Sequence, residues 1–473
     1  MYGELLETCG YTSKEIDKEL PRVKRALGKA GLTEEDAKRA QDRLVRYFQC
    51  GELKGMRLLV GSWFKEFVDL MLSGEEHDIR IYCELPFLTP PLIAAAKLAR
   101  PDIHTAYESF YLFFVLGAFF GRVERLIEAG ENFCLPPGVA HCACNQLKMG
   151  GRRVNFLPRA SLVVSTGLYC DEAPKADELL EYYFGERVAY INRCQDDEPG
   201  GPLIQERPLM YTRENIDRCR RTMSEVIGKE ITDDHLMQGI KCSEELSTAI
   251  QEITELRVKA DPQPLRIVPY QLLVYGNLMS VNLDRHDEKM EMVRVLHGEL
   301  QQMVKRGEGV IEKGTPKVVL CGTVPVASPD YGMMIEDAGL NICCLESYGS
   351  VGALIDTGER RQQVGAMDPC TILAAVYLTM PLVSNFRVRI GCITNAYRKA
   401  NLDGVLMYPH YACRVLGNDS IMVKDGVKKE LGNIPFLVLE GDYFDPRYYT
   451  AEQARTRVES FAEMVRSERR TAA

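Results

Sequence analysis

Ser161-Leu162-Val163-Val164-Ser165-Thr166-Gly167-Leu168-Tyr169-Cys170-Asp171 is the stretch on which the fold turns. Its first six residues form an apolar, β-branched run of strand length, the pattern of a strand buried on both faces in a parallel sheet. Gly167 ends the run. Cys170 follows just past the carboxyl end, where open α/β sheets place their ligands. A helix from Lys175 to Phe184 and a strand Arg187-Val188-Ala189-Tyr190-Ile191 continue the alternation.

Upstream, Ile79-Arg80-Ile81-Tyr82 reads as a strand, and Pro90-Pro91 opens a helix through Leu92, Ala95 and Leu98. A long helix is expected from about Thr105 to Ala129, broken by Asn132-Phe133-Cys134-Leu135-Pro136-Pro137-Gly138. Then comes a second cysteine signal, His141-Cys142-Ala143-Cys144-Asn145-Gln146-Leu147-Lys148-Met149-Gly150-Gly151, at the start of a short helix that should end near Gly150. The first 76 or so residues read as helical throughout, with Thr33-Glu34-Glu35-Asp36 as a helix start and Leu44, Val45 and Phe48 on one face.

Downstream of an irregular loop at Asp196–Pro202, helices are expected at Thr212–Ile227, Thr232–Lys259 and Tyr270–Lys305. A second βαβ unit starts at Lys317-Val318-Val319-Leu320-Cys321-Gly322 and returns in Leu340-Asn341-Ile342-Cys343-Cys344-Leu345, which implies another parallel sheet. A helix is expected at Pro369–Leu378 and a short one at Ala396–Lys399. Gly404-Val405-Leu406-Met407-Tyr408 is a further strand, with His410 and Cys413 just beyond its end. A last strand, Phe436–Leu439, precedes a capped terminal helix with Val458, Phe461 and Met464-Val465 facing inward. The fold class is therefore α/β: two doubly wound, flavodoxin- or Rossmann-like parallel-sheet domains, with a helical N-terminal region and a helical bridge. The expected boundaries are 1–77 for the N-terminal helices, 78–210 for the first α/β domain, 211–312 for the bridge and 313–473 for the second α/β domain.

Composition narrows the function classes. A net charge of −9 over 473 residues offers no basic face for a polyanion, so no nucleic-acid partner is expected. The longest apolar run, Tyr111–Phe120, is well short of the ~20 residues that cross a bilayer. The first residues lack a basic start followed by an apolar segment, so a cytoplasmic protein with no membrane partner is expected. Gly-rich nucleotide fingerprints and the Gly-x-Ser-x-Gly elbow are missing.

The chain has 16 cysteines. In a reducing compartment disulfides are improbable, and a free cysteine is most often a small buried hydrophobe. Three thiolates from the strand-end positions, Cys142 or Cys144, Cys170 and Cys413, would hold an iron–sulfur cubane and leave one iron open to water or substrate. There is no Cys-x-x-Cys pair, so spacing gives little support to zinc at these positions. His141 and His410 stand beside candidate ligands and are candidate proton donors.

From about Leu88 onward the chain resembles the catalytic subunits of ATP-dependent benzoyl-CoA reductase and the 2-hydroxyacyl-CoA dehydratases. The Cys142/Cys144 helix, Thr166–Asp171, Asp403–Leu406 running into Cys413, and Asp442–Tyr449 followed by Arg457–Met464 carry the resemblance. It implies a 4Fe-4S cluster held by three cysteines, which map to Cys142 or Cys144, Cys170 and Cys413. The distance to Gly150 points to Cys142, and Lys148 points to Cys144. It also implies a homologous second subunit in a heterodimer or homodimer, a separate ATP-hydrolysing iron–sulfur activator, and an acyl-CoA or aryl-CoA substrate. One electron passed to the thioester would make a ketyl-type radical anion, leading to loss of a 2-hydroxyl group or to ring reduction. Asp-Pro-Arg-Tyr-Tyr at 445–449 tilts the reading toward the aryl-CoA reaction. Two departures stand out. The first ~75 residues lack the Pro-Glu-Leu-Leu type of opening helix expected of a dehydratase, and Cys134, Cys321, Cys343, Cys344, Cys370 and Cys392 are additional. These extra thiols raise one alternative, a double-cubane reductase of small molecules; a second is a non-catalytic partner subunit whose cysteines are partly vestigial.

Overall fold

The computed structural model describes residues 1–83, 89–137, 141–167, 171–192, 205–278, 285–349, 367–378, 386–410, 412–417, 419–448 and 450–472. Four helices open the chain: α1 (Tyr2–Thr8), α2 (Ser13–Lys29), α3 (Glu34–Phe48) and α4 (Lys54–Glu76). The start of α3 follows from its sequence, because the Thr33 hydroxyl accepts the Asp36 N–H at 3.2 Å while Asp36 accepts the Thr33 N–H at 3.0 Å. Leu44 and Phe48 are buried, whereas Val45 is 48% exposed and lies off the packed face.

The chain continues through β1 (Arg80–Cys83), α5 (Thr89–Ala99), β2 (His104–Ala106), α6 (Glu108–Tyr111), a π-helical stretch Leu112–Phe119, α7 (Glu124–Phe133), α8 (Ala143–Arg153), β3 (Leu162–Gly167), α9 (Glu172–Phe184) and β4 (Val188–Asn192). The single long helix expected from Thr105 to Ala129 is thus replaced by a strand, α6, the π-helical stretch and α7. Thr105 pairs with Ile81 in the sheet. Arg43 Nε donates to the Ala118 carbonyl at 2.8 Å, and Gly121 turns the chain at φ 64, a conformation side chains resist.

Next come α10 (Glu206–Ile227), α11 (Asp233–Lys259), α12 (Ile267–Leu278) and α13 (His286–Arg306). The last two stand in place of the one helix expected at Tyr270–Lys305, and residues 279–284 between them lie outside the described residues. The rest comprises β5 (Lys317–Gly322), α14 (Pro329–Asp337), β6 (Asn341–Leu345), α15 (Pro369–Leu378), α16 (Phe386–Ala400), β7 (Gly404–Tyr408), α17 (Arg414–Gly417), α18 (Ser420–Leu431), β8 (Phe436–Val438) and α19 (Ala451–Ala472). The short helix expected at Ala396–Lys399 is the end of α16, whose Ile390, Ile393 and Ala396 form an apolar stripe in the core. On α19, Val458, Phe461 and Val465 are buried, but Met464 is 41% exposed.

Two compact units result: Met1–Ile250 with Leu273–Leu296 and Met367–Leu378, and Gln251–Leu272 with His297–Ala366 and Thr379–Ala473. Each holds a four-stranded sheet, in the orders β2-β1-β3-β4 and β6-β5-β7-β8, with every pair parallel. The expected α/β class and two parallel sheets are therefore present. Parallel strands need both faces covered, and β3, β6 and β7 are buried almost throughout. No described helix is long and apolar enough to cross a membrane.

Candidate functional site

In the first unit, α8 carries the first cysteine pair. The helix does not end near Gly150 but runs to Arg153. Gly150 lies inside it because a Cβ there would run into the Leu126 carbonyl and the Gly130 nitrogen, and one at Gly130 would meet the Gln146 carbonyl. Glycine on both α7 and α8 lets the two backbones touch, which fixes where the first turn of α8 sits.

The inward side of α8 is polar and paired. Lys148 and Asp177 are both fully buried and form an ion pair. Arg152, also fully buried, bridges Glu108 at 2.5 Å and Glu186 at 3.0 Å and lies over the Tyr82 ring. Buried charges persist only when paired, and removing one partner typically costs about 3–5 kcal/mol. These pairs lock α8 against α6, α9 and the start of β4. Lys148 is thereby held in the packing of α8 on α9.

Cys142 is the half-buried N-cap of α8, and its side chain makes no capping bond. Its backbone N–H donates to Glu172 at 3.1 Å, and His141 Nδ1 lies 3.2 Å from the same carboxylate oxygen. Glu172, the first residue of α9, is itself only 6% exposed. Cys144, in the first turn, is buried. A helix N-terminus favours a thiolate and other negative charge, since its N–H groups and dipole point there. Close by in the sequence, Asn145 is 1% exposed, and neither atom of its side-chain amide has a hydrogen-bond partner among the described residues. The same holds for the Ser165 and Thr166 hydroxyls at the carboxyl end of β3. Buried polar atoms without partners are uncommon in folded proteins. A half-buried thiol at a helix start, with polar groups on the same helix and on the strand preceding Cys170 that no described residue pairs, is a donor set that fits an anionic thiolate-bound group. Cys170 itself lies outside the described residues.

The second unit holds Cys413. Its N–H donates to the His410 carbonyl at 2.9 Å, a tight turn just past β7, and the Cys413 carbonyl accepts the Gly417 N–H at 2.8 Å. Cys413 is half-buried. His410 is buried, its Nδ1 lies 3.4 Å from the Gly441 carbonyl and 3.7 Å from Asp442, and its ring packs on Tyr443 with centroids 4.8 Å apart. Tyr443 donates to the Tyr408 carbonyl at 2.7 Å, and Gly322 at φ 92 leaves the room its hydroxyl occupies. Asp442 accepts the N–H groups of Phe444 and Asp445 at 2.7 and 2.9 Å, which bends the Asp442–Asp445 turn. Burial pushes the Asp442 carboxyl up, with His410 acting against it. Asp445 in turn grips Arg447 through both carboxylate oxygens. The Asp-Pro-Arg part of the terminal motif is thus an internally paired turn.

The additional cysteines have other surroundings. Cys321, Cys343 and Cys344 are fully buried on β5 and β6 in the apolar core of the second unit. Burial drives the Cys321 thiol well above its ordinary value. Cys392 and Cys370 are buried on α16 and α15, their thiols pushed up to about 12 and about 11 chiefly by desolvation. Cys134 is half-buried at the end of α7.

A family model described as 2-hydroxyglutaryl-CoA dehydratase, D-component, matches residues 89–465. The chain belongs to this family. The match begins where the motif resemblance begins, near Leu88, and bears it out. Among relatives in this group, a subunit of benzoyl-CoA reductase from Thauera aromatica is 24% identical over 252 residues, 52% of this chain and 57% of that protein. The alpha subunit of (R)-2-hydroxyglutaryl-CoA dehydratase from Acidaminococcus fermentans is 21% identical over 263 residues, 55% of this chain and 51% of the relative. The chain spans about half the length of these curated relatives. Within the family match, the structure brings His141, Cys142 and Glu172 together in one unit and His410 and Cys413 together in the other. Glu172, an acid at a sheet end, reads from the sequence as a helix-capping or solvated residue, as most such acids are. Its place two residues after Cys170 is the signal that could have found it. Nothing in the sequence pattern sets Asn145 apart from an ordinary first-turn residue.

Proposed function

We propose that this chain is an iron–sulfur subunit of a low-potential enzyme acting on a CoA thioester, of the benzoyl-CoA reductase or 2-hydroxyacyl-CoA dehydratase kind. The observation that carries the reading is the contrast among cysteines: Cys142 and Cys413 are half-buried at turns that open helices, while Cys321, Cys343 and Cys344 fill a core. Cys142, Cys170 and Cys413 are the proposed ligands of one 4Fe-4S cluster, with Cys142 preferred to the buried Cys144. Burial of Cys321, Cys343, Cys344, Cys370 and Cys392 favours a single cubane over a double one. Each sheet is read as doubly wound, with its ligand at the carboxyl ends of the strands. Bound, the cluster would supply single electrons at low potential and an open iron position.

The chain's own residues would do the rest. The α8 N-terminus and the Asn145 amide, which no described residue pairs, would offset negative charge. Glu172 would fix the Cys142 backbone and orient His141, which keeps 29% of its side chain exposed and is the better proton donor than the buried His410. The assembly would contain a homologous second subunit and a separate ATP-hydrolysing activator, by extension from relatives named as subunits of larger enzymes. The aryl-CoA reaction is slightly preferred on the Asp445–Tyr449 terminus. Anaerobic visible and EPR spectra recorded with and without benzoyl-CoA and a 2-hydroxyacyl-CoA test the reading. A spectrum that shifts with one thioester supports it and names the class, and a protein without iron absorption rejects it.

A further inference from the structure

Away from the proposed cluster ligands, three side chains in the first unit converge on one point. Cys242 and Glu245 stand three residues apart on α11 and so share a face. His286 opens α13. One ligand atom from each, the Cys242 sulfur, a Glu245 oxygen and a His286 ring nitrogen, lies within 4.8 Å of the others. His286 Nε2 is 3.2 Å from Glu245 Oε2. In a tetrahedral shell with metal–nitrogen and metal–oxygen bonds of ~2.0 Å, neighbouring donors stand about 3.3 Å apart, so this pair already has the spacing of two ligands of one ion.

A half-buried thiol shares the cluster, where a plain histidine–carboxylate hydrogen bond has no use for it. Glu245 is further held near Lys241 at 3.8 Å and is 45% exposed, which leaves a path for an ion and a water to enter.

We propose that Cys242, Glu245 and His286 bind a zinc-class divalent cation, with water as the fourth ligand. The mixed sulfur, nitrogen and oxygen set selects this class. Calcium and magnesium require oxygen cages, and one thiolate is too few for an iron–sulfur cluster. The ion would clasp the middle of α11 to the start of α13. A thiol binds zinc as the thiolate, so uptake displaces its proton and apparent affinity rises with pH.

The test titrates zinc chloride into the full-length purified protein against a chromophoric zinc chelator, alongside Cys242→Ser and His286→Ala, with zinc K-edge absorption on the loaded samples. The other cysteines make the comparison between wild type and variants decisive. Wild type should hold one zinc equivalent more than either variant, or bind that equivalent at least about 100-fold more tightly, since loss of even an outer partner costs about 10–100-fold. Its spectrum should show one sulfur near 2.3 Å and nitrogen or oxygen near 2.0 Å, as order-of-bond-length values for zinc. Wild type and variants that take up zinc equally, or a wild-type shell without sulfur, overturn the site. If a variant proves too unstable to compare, zinc-dependent thermal stabilisation of wild type replaces it, and no upward shift with added zinc also overturns the proposal.

Discussion

The Glu172 carboxylate accepts the backbone N–H of Cys142 at 3.1 Å, tying the first turn of α9 to the cap of α8. Since Glu172 follows Cys170 by two residues, this bond joins the segments that carry two of the proposed cluster ligands. Glu172→Ala removes the acceptor of a half-buried N–H, a loss of at most about 1–3 kcal/mol. Glu172→Gln keeps a carbonyl acceptor. The alanine variant should retain less than half of the wild-type iron and the glutamine variant most of it, by iron analysis after anaerobic purification. Equal iron in both would remove Glu172 from any positioning role.

Gly150 makes a second expectation independent of iron. Alanine normally strengthens a helix interior by about 1 kcal/mol over glycine. At this position its methyl collides with the backbone of α7. Gly150→Ala should therefore destabilise, by about 1–3 kcal/mol as overpacking does. Urea unfolding followed by circular dichroism checks the sign, and a stabilised variant would contradict the close helix approach.

How far the fold and the site are legible from residues alone follows from which forces sequence patterns record. Apolar, β-branched runs announce buried parallel strands, so Ser161–Thr166, Lys317–Thr323 and Gly404–Tyr408 mark both sheets within a residue or two. The capping pair Thr33 and Asp36 is local chemistry and is equally readable. The short strand His104–Ala106 is lost inside an apolar stretch because its pairing to β1 is a tertiary fact. Likewise Gly150 reads as a helix terminator until α7 is known to press against it. At the site, the thiols stand out by position at strand ends. Glu172, Asn145 and the Tyr408–Tyr443 contact depend on residues distant in sequence and leave no periodic trace.

Glu336, on α14 in the second unit, gives a pH prediction. It is fully buried, accepts the Ile267 N–H at 2.9 Å, and faces Arg257 and Arg266, each at 3.7 Å. Desolvation outweighs these cations and pushes its carboxyl up to about 7. An acid with a raised folded-state value holds its proton longer folded than unfolded. Its contribution is thus complete below the unfolded value near 4.5 and fades as pH rises through about 7. Relative to Glu336→Gln, which cannot ionise, wild-type unfolding free energy should fall between pH 5 and pH 8. The fall should be of order 2–3 kcal/mol, as a shift of this size implies. A difference that stays flat across this range would contradict the assignment.

Thiol reactivity should separate the two classes of cysteine. In iron-free native protein, Cys142 and Cys413 are half-buried, whereas burial keeps Cys321 protonated and enclosed. Iodoacetamide at neutral pH should modify the first two at least about 10-fold faster, because the thiolate is the reacting form and access limits it. Peptide mapping by mass spectrometry reads the rates. Labelling of Cys321 or Cys344 at a comparable rate would count against their place in the core.

The central claim is that Cys142, Cys170 and Cys413 hold one cluster, and metal analysis meets it most directly. Iron and acid-labile sulfide are counted on anaerobically purified wild type, Cys142→Ala and Cys413→Ala, with circular dichroism confirming that each variant is folded. The account predicts about four irons and four sulfides per wild-type chain, as one cubane requires, and less than about one iron in each folded variant. A wild-type chain without iron, or a folded Cys413→Ala chain with its full iron content, would contradict it.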